Sequence, residues 1–190
     1  TAGSTREPID PVRFITNASS GAMGFALALE AEARGAKVTL VHGPTPLCPP
    51  PVDEVVPVSS AAEMAEAVFA RIDTADVFVG SAAVADYRPM NPSGQKLKKA
   101  EGPLHLVLDR TVDIIAEVRQ RRPELKVVGF AAETENLEAN ARDKLQRKGL
   151  DLIVANDVAN GRAFGPGNTE LLLLPRDGEP RSTGRLPKDE

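Results

Sequence analysis

Residues 126–156 read KVVGFAAETENLEANARDKLQRKGLDLIVAN. A short apolar run from Lys126 to Phe130 gives way to a stretch of helical period at about Leu137 to Lys148, and a second apolar run follows at Leu150 to Ala155. Nearly continuous apolar runs of this length are what strands covered by helices on both faces look like. Gly149 stands just past the helical stretch, where a left-handed residue closes a helix. Strand, helix and strand in one short span predict a parallel α/β arrangement.

The same alternation extends upstream. KVTLV at Lys37 to Val41 and DVFV at Asp76 to Val79 are further apolar runs, with helical stretches expected at about Gly21 to Arg34, Ala61 to Ile72 and Val112 to Arg121. Their start signals are Ser20, then Ser60 with Glu63 as a capping box, then Thr111, and Gly35 supplies a stop for the first. Five or six strands alternating with helices predict an α/β fold with a mostly parallel sheet and helices on both faces. Glu170 to Leu174 reads as one more strand, and the charged tail after it is expected to have no partner. Thr1 to Thr5 reads as the turn after a first strand, so further residues are expected beyond the ends or at an internal junction. No internal repeat or low-complexity tract interrupts the pattern.

At 190 residues with 42% hydrophobic content, the chain can bury roughly 70% of its unfolded surface, so its core needs no metal or disulfide staple. Cys48 is its one cysteine, which excludes an internal disulfide and suits a reducing cytoplasm. No apolar run approaches the roughly 18 residues of a membrane helix and no charged-then-apolar leader opens the sequence, so neither membrane insertion nor secretion is expected. Basic residues number 23 against 27 acidic ones, aromatics are 4%, and tryptophan is absent. That balance argues against a nucleic-acid surface, because phosphate tracking needs a basic excess and base stacking needs aromatic platforms. A nucleotide bound here is expected to be a small molecule.

Several groups could carry chemistry. Asn17-Ala18-Ser19-Ser20-Gly21-Ala22-Met23-Gly24 brings hydroxyl and small residues into a helix start, where free amides make an anion site. A serine cap with two packing glycines explains the same residues, and the G-x-G-x-x-G fingerprint is unmet. Lys96-Leu97-Lys98-Lys99 gathers three ammonium groups; if extended, Lys96 and Lys98 share a face and suit a polyphosphate, though a lysine-guarded edge strand reads equally well. Lys144 and Lys148 lie one helical turn apart, where cations ordinarily complement a helix C-terminus. Phe130 is simplest as core, or else as a ring along a ligand at a strand end. Asp86-Tyr87-Arg88 and Asn156-Asp157 place polar groups at two other strand ends. The long segments 83–95 and 156–168 both follow strands, which is where α/β sheets bind ligands. The proline-rich segment 43–51 reads as a stiff surface connection. His42 and His105 are isolated, with no zinc spacing. No nucleophile elbow, P-loop or kinase signature occurs, so any catalysis would rest on positioned cations and backbone amides.

In one order, TAGSTREPIDPVRFITNASSGAMG, AAVADYRP, KLKK, GFAAETEN, ARDKLQRKGLDLIVANDV and FGPGN resemble phosphopantothenoylcysteine synthetase, the synthetase half of the bifunctional bacterial coenzyme A biosynthesis protein. The resemblance covers nearly all of residues 1–190 as one ligase domain. It implies a Rossmann-like sheet, a cytoplasmic homodimer, and a two-step ligation with CTP and a divalent metal, Mg2+, carried on the nucleotide phosphates. The carboxylate of 4'-phosphopantothenate would attack the CTP α-phosphate, giving an acyl-cytidylate and pyrophosphate; the cysteine amine would then displace CMP. By similarity Asn17 acts in the second step and Lys96 stabilises phosphate charge in the first, with Lys98 and Lys99 assisting. Gly80, Ser81, Ala82, Asp86, Val112, Asp113, Ile114, Ile115, Phe130, Lys144 and Lys148 match CTP-binding positions. Ser19, Ser20, Gly21, Gly24 and Asn156 are further candidates for substrate or phosphate.

Departures from the family pattern are visible. Ser4 replaces the second glycine of T-A-G-G-T, Ala18 stands where a histidine is usual, and Val112 takes the place of a proline. The flavin-dependent decarboxylase half, usually fused N-terminally, has no counterpart in these residues, so neither flavin binding nor decarboxylation is expected. ATP remains open as the activating nucleotide, although the Lys144/Lys148 pair resembles the CTP-using type. An NAD(P)-binding reductase and a non-catalytic dimerisation module of the same fold are the alternatives. The missing glycine fingerprint counts against the first, and the retained Asn17, Asp86, Lys96 and lysine pair against the second.

Overall fold

The computed structural model describes residues 1–99, 101–158 and 169–186. In chain order these form β1 (Arg6–Pro8), β2 (Phe14–Thr16), α1 (Ala22–Ala33), β3 (Thr39–His42), β4 (Glu54–Pro57) and α2 (Ala61–Phe69). After a single 3-10 turn at Ile72–Thr74 come β5 (Val77–Gly80), β6 (Tyr87–Pro89), β7 (Leu108–Arg110), α3 (Ile114–Arg121) and β8 (Lys126–Glu133). The remainder is α4 (Leu137–Arg147), β9 (Leu152–Asp157), β10 (Thr169–Pro175) and β11 (Arg181–Leu186).

The expected strand–helix–strand unit is present as β8, α4 and β9, with Val128 registered on Leu152 in parallel. β5 pairs parallel with the other edge of β8, giving a five-stranded sheet in the order β11-β10-β9-β8-β5. β3 and β4 form a parallel pair, and Thr1–Thr5 joins it to the main sheet. Ala2 bridges His42 on one side and Ser4 bridges Ala83 on the other, both in parallel sense. The amides close the gap, with Ala2 donating to Val41 at 3.0 Å and Ala83 to Gly3 at 2.8 Å. From this central segment the chain runs outward to β3 and β4, then returns past it to β5. Such a reversal opens a crevice beyond the strand ends.

Burial explains why these elements hold. Met64 and Val68 of α2, Val118 of α3 and Leu145 of α4 pack with Val127, Leu150 and Ile153 into one buried cluster. Phe25 and Ala28 of α1 form a second with Ala2 and Leu40. Along β8 the burial alternates, with Val127, Gly129 and Ala131 buried and Val128 and Phe130 half-buried, so its two faces are not equally covered.

Local signals were realised unevenly. The capping box forms as expected, Ser60 Oγ accepting from the Glu63 amide at 3.2 Å and the Glu63 carboxylate accepting from Ser60 N–H at 3.4 Å. Gly35 and Gly149 take positive φ, as expected. Two caps differ: Gly21, at φ 77, precedes α1 in place of Ser20, and Asp113 caps α3 in place of Thr111. Thr111 Oγ instead donates to the Ala85 carbonyl at 2.5 Å, held by a contact distant in sequence. The helix expected to Ile72 ends at Phe69. The tail is also not partnerless, since Arg181–Leu186 folds back as β11 on β10 through a bulged antiparallel pairing. Residues 96–99 are irregular rather than an edge strand. His42 is structural, its Nδ1 2.9 Å from the Gly43 carbonyl and its ring edge-on to Phe25. Among the described residues no helix is long and apolar enough to cross a membrane.

Candidate active site

A cleft of about 870 Å³ occupies the crevice at the strand ends. Its first wall is the start of α1. Gly21 sits at φ 77, and a Cβ on Gly24 would lie 2.5 Å from Ala2 Cβ and 2.6 Å from Ser81 Oγ. Only glycine lets this helix start press against both the central segment and the end of β5. Ser19 Oγ accepts from Gly21 N–H at 3.3 Å and Ser20 Oγ from Ala22 N–H at 3.4 Å. No acidic residue occupies the first turn of α1, so the amide dipoles there meet no carboxylate of their own turn.

The second wall is the turn after β5. Ser81 Oγ donates to the Thr1 carbonyl at 2.7 Å, and Ala85 N–H donates to Thr5 Oγ at 3.0 Å. Asn17 Nδ2 donates to the Val84 carbonyl at 3.0 Å, which ties that side chain to the loop carrying Asp86.

The third wall holds the charge. Lys148 Nζ lies 3.0 Å from Asp113 Oδ2, and Lys144 Nζ donates to the Phe130 carbonyl at 2.7 Å. Burial pushes the Lys144 ammonium below its ordinary pKa, and the neighbouring Lys148 charge pushes the same way. Burial alone would raise the Asp113 carboxyl, but the Lys148 ammonium and the Ala116 amide outweigh it and hold it below the usual value. Two lysines and a helix start on one cleft offer a frame for an elongated anion.

Among the described residues no group of three or more His, Cys, Asp or Glu could hold a metal ion. The carboxylates on the cleft are Asp86 and Asp113, the latter committed to Lys148. These side chains do not make a resident metal cage.

The cleft gathers Asn17, Ser19, Ser20, Gly21, Gly24, Gly80, Ser81, Ala82, Asp86, Val112, Asp113, Ile114, Ile115, Phe130, Lys144, Lys148 and Asn156. Lys96, Lys98 and Lys99 line a different groove, of about 730 Å³, with Arg13, Leu97 and Leu104. Residues 159–168, the greater part of the second long post-strand segment including its FGPGN stretch, lie outside the described residues. Sequence reasoning missed Arg110, which reaches the cleft because β7 registers it opposite Tyr87. A three-residue strand carries no periodic signal that would have found it.

Residues 1–190 match in full the family model described as the DNA/pantothenate metabolism flavoprotein C-terminal domain. The chain belongs to this family. This C-terminal domain is 50% identical over 183 residues to the coenzyme A biosynthesis bifunctional protein CoaBC of Bacillus subtilis, covering 95% of the chain and 45% of that protein. It is 49% identical over 186 residues to the Escherichia coli (strain K12) protein of the same name, again covering 45% of it. The chain therefore spans less than half the length of these relatives. A crystal structure of a CoaBC C-terminal domain superimposes with a TM-score of 0.83 at 41% identity, covering 99% of this chain and 85% of that one. At 18% identity, a Cab2 variant solved with phosphopantothenate-cysteine shares the fold with a TM-score of 0.77, covering all of this chain and 79% of that one.

Proposed function

We propose that the protein is a phosphopantothenate–cysteine ligase that works through an acyl-cytidylate. The observation that carries this reading is that Lys144 and Lys148 line the same cleft as the α1 start, in a chain half identical to coenzyme A biosynthesis proteins. In the first step a carboxylate oxygen of 4'-phosphopantothenate attacks the α-phosphorus of CTP. The bond to the bridging oxygen breaks and pyrophosphate leaves. In the second the cysteine amine attacks the acyl carbon, loses a proton, and expels CMP as the amide forms. Carboxylate is a poor acylating agent, and cytidylation supplies its leaving group.

Each wall has a task in this reading. Lys144 and Lys148 attract the nucleotide, with Phe130, Gly80 to Ala82, Asp86 and Val112 to Ile115 shaping its seat. Ser19 to Gly24 offers amides to a phosphate, with Asn156 beside the substrate. Asn17, already oriented by Val84, presents its amide to the acyl-cytidylate. Magnesium enters as part of the nucleotide substrate, and no step is assigned to it on the protein. ATP is the competing nucleotide in the test below.

Lys96 neutralises charge on the triphosphate, assisted by Lys98 and Lys99. It lines a groove outside the cleft of its own copy, and a homodimer supplies the route. Exposed Phe14, Met90, Leu106, Val107 and Leu108 lie on or beside the β1–β2 and β6–β7 hairpins, which pack against each other next to that groove. An apolar face of this kind supports a contact with a second copy. A flavin-dependent decarboxylase partner fused N-terminally and a cytoplasmic setting complete the reading, consistent with relatives about twice as long.

The test is pyrophosphate release with magnesium, 4'-phosphopantothenate and either CTP or ATP, with and without cysteine, followed by mass spectrometry. An acyl-cytidylate without cysteine and an amide with it are expected. Absence of release from folded, dimeric protein would remove the reading.

A further inference from the structure

We propose that Asp10 is the positioning residue of the lysine stretch 96–99, fixing the backbone of Leu97 so that the flanking ammonium groups are presented from one anchored point. This rests on the reading of Lys96 as the cation directed at phosphate. The Asp10 side chain is fully buried. Its Oδ1 accepts from the Val12 and Arg13 amides, both at 2.9 Å. Its Oδ2 accepts from Arg13 Nε at 2.9 Å and from Leu97 N–H at 3.1 Å. Arg13, locked to that carboxylate, donates back to the Leu97 carbonyl at 2.9 Å. Both backbone polar groups of one loop residue are thus held by a single ion pair. Ser93 N–H adds a bond to the Ile9 carbonyl at 2.9 Å, extending the seam.

The neighbouring residues show the same design. Thr5 Oγ takes the Ala85 amide at 3.0 Å, and buried Glu7 takes the Ala61 amide at the start of α2 at 2.9 Å. The segment 5–13 is therefore a row of fasteners, each reaching a distant stretch, and Asp10 is the one that reaches the lysines. Lys96, Lys98 and Lys99 are themselves exposed, so their direction depends on Leu97. The Arg13 guanidinium holds the Asp10 carboxyl well below the usual carboxylate range, so it stays an acceptor wherever the enzyme works. An amide in its place has a single acceptor oxygen and would turn donors toward Arg13.

The test uses the intact protein with Asp10→Asn, Leu97→Pro and Lys96→Gln. In folded Asp10→Asn, tryptic cleavage after Lys96, Lys98 and Lys99 is expected to accelerate by about tenfold, since cleavage tracks the opened loop. The kcat of pyrophosphate release without cysteine should fall about tenfold to a hundredfold, a loss on the scale of a misplaced group. The KM for 4'-phosphopantothenate and the cysteine-driven turnover of preformed acyl-cytidylate should stay within about twofold, whereas a merely structural role would lower both half-reactions together. If Asp10→Asn does not fold, Leu97→Pro decides, because it removes the N–H that Asp10 accepts and leaves the buried carboxylate in place; wild-type kcat there, with wild-type tryptic cleavage after Lys98 and Lys99, overturns the proposal. Unchanged Asp10→Asn beside an inactive Lys96→Gln overturns the clamp alone. Unchanged pyrophosphate release in Lys96→Gln overturns the reading of Lys96 and with it the purpose of the clamp.

Discussion

Lys148 Nζ stands 3.0 Å from Asp113 Oδ2, so the C-cap of α4 is tied to the N-cap of α3 along a single wall of the cleft. Asp113 also accepts the Ala116 amide at 3.1 Å, which gives the carboxylate two duties. Asp113→Ala is expected to destabilise the fold by about 1–2 kcal/mol through the lost cap. Lys148→Ala removes only a partly exposed ion pair, worth roughly 0–1 kcal/mol. Urea unfolding of the two variants checks the order, and nucleotide titration should show Lys148→Ala weakening CTP.

Lys144 is expected to acylate with a half-maximal pH below that of an ordinary lysine, because burial and the Lys148 charge both disfavour its protonated form. CTP should protect it, since phosphate charge restores the ammonium. Competitive labelling across pH, read by mass spectrometry with and without CTP, measures both effects.

Gly24→Ala is expected to destabilise by about 1–3 kcal/mol, as overpacking does, despite the better helix propensity of alanine. The new Cβ would meet Ala2 Cβ at 2.5 Å, and α1 must shift to admit it. Gly94→Ala meets nothing within 4 Å and serves as the control. Equal unfolding midpoints for the two would contradict the close approach.

Acid should unfold the protein partly through Asp10. Its folded-state pKa is depressed by Arg13 from an ordinary value of 3.8, so the unfolded chain binds the proton first. The stabilisation is present in full above the unfolded pKa and is lost as pH falls toward the folded one. Asp10→Asn should therefore flatten the fall of Tm with pH, its deficit against wild type being full above about pH 5 and narrowing below it. A parallel shift at all pH values would show that Asp10 carries no proton linkage.

Much of the main sheet was legible because its signals are local. The apolar runs at 126–130 and 150–155, the helical period between them and Gly149 place β8, α4 and β9 within a few residues. Ser60 and Glu63 lie three apart, a spacing a helix start fixes by itself. The errors have one character. Thr111 was expected to cap a helix, but the Ala85 carbonyl, far away in sequence, recruits its hydroxyl. The tail looked partnerless because a polar strand such as Arg181–Leu186 shows itself only once its neighbour is in place.

Periodicity, spacing and composition by themselves determined the α/β class, the four helices, the strands β3, β5, β8, β9 and β10, and the residue types available for binding an anion, while the short or polar strands β1, β2, β4, β6, β7 and β11 gave no such signal. These properties depend on neighbours one turn or one pleat away, and short-range sterics and burial settle them. Tertiary structure alone decided that Lys144 and Lys148 share one cleft with the α1 start, that Arg110 lines it, and that the lysine stretch hangs from Asp10 in a separate groove. The Asp10 carboxylate and the Leu97 amide are 87 positions apart. A hydrogen bond across such a distance is fixed by where the sheet returns the chain, which no local pattern records.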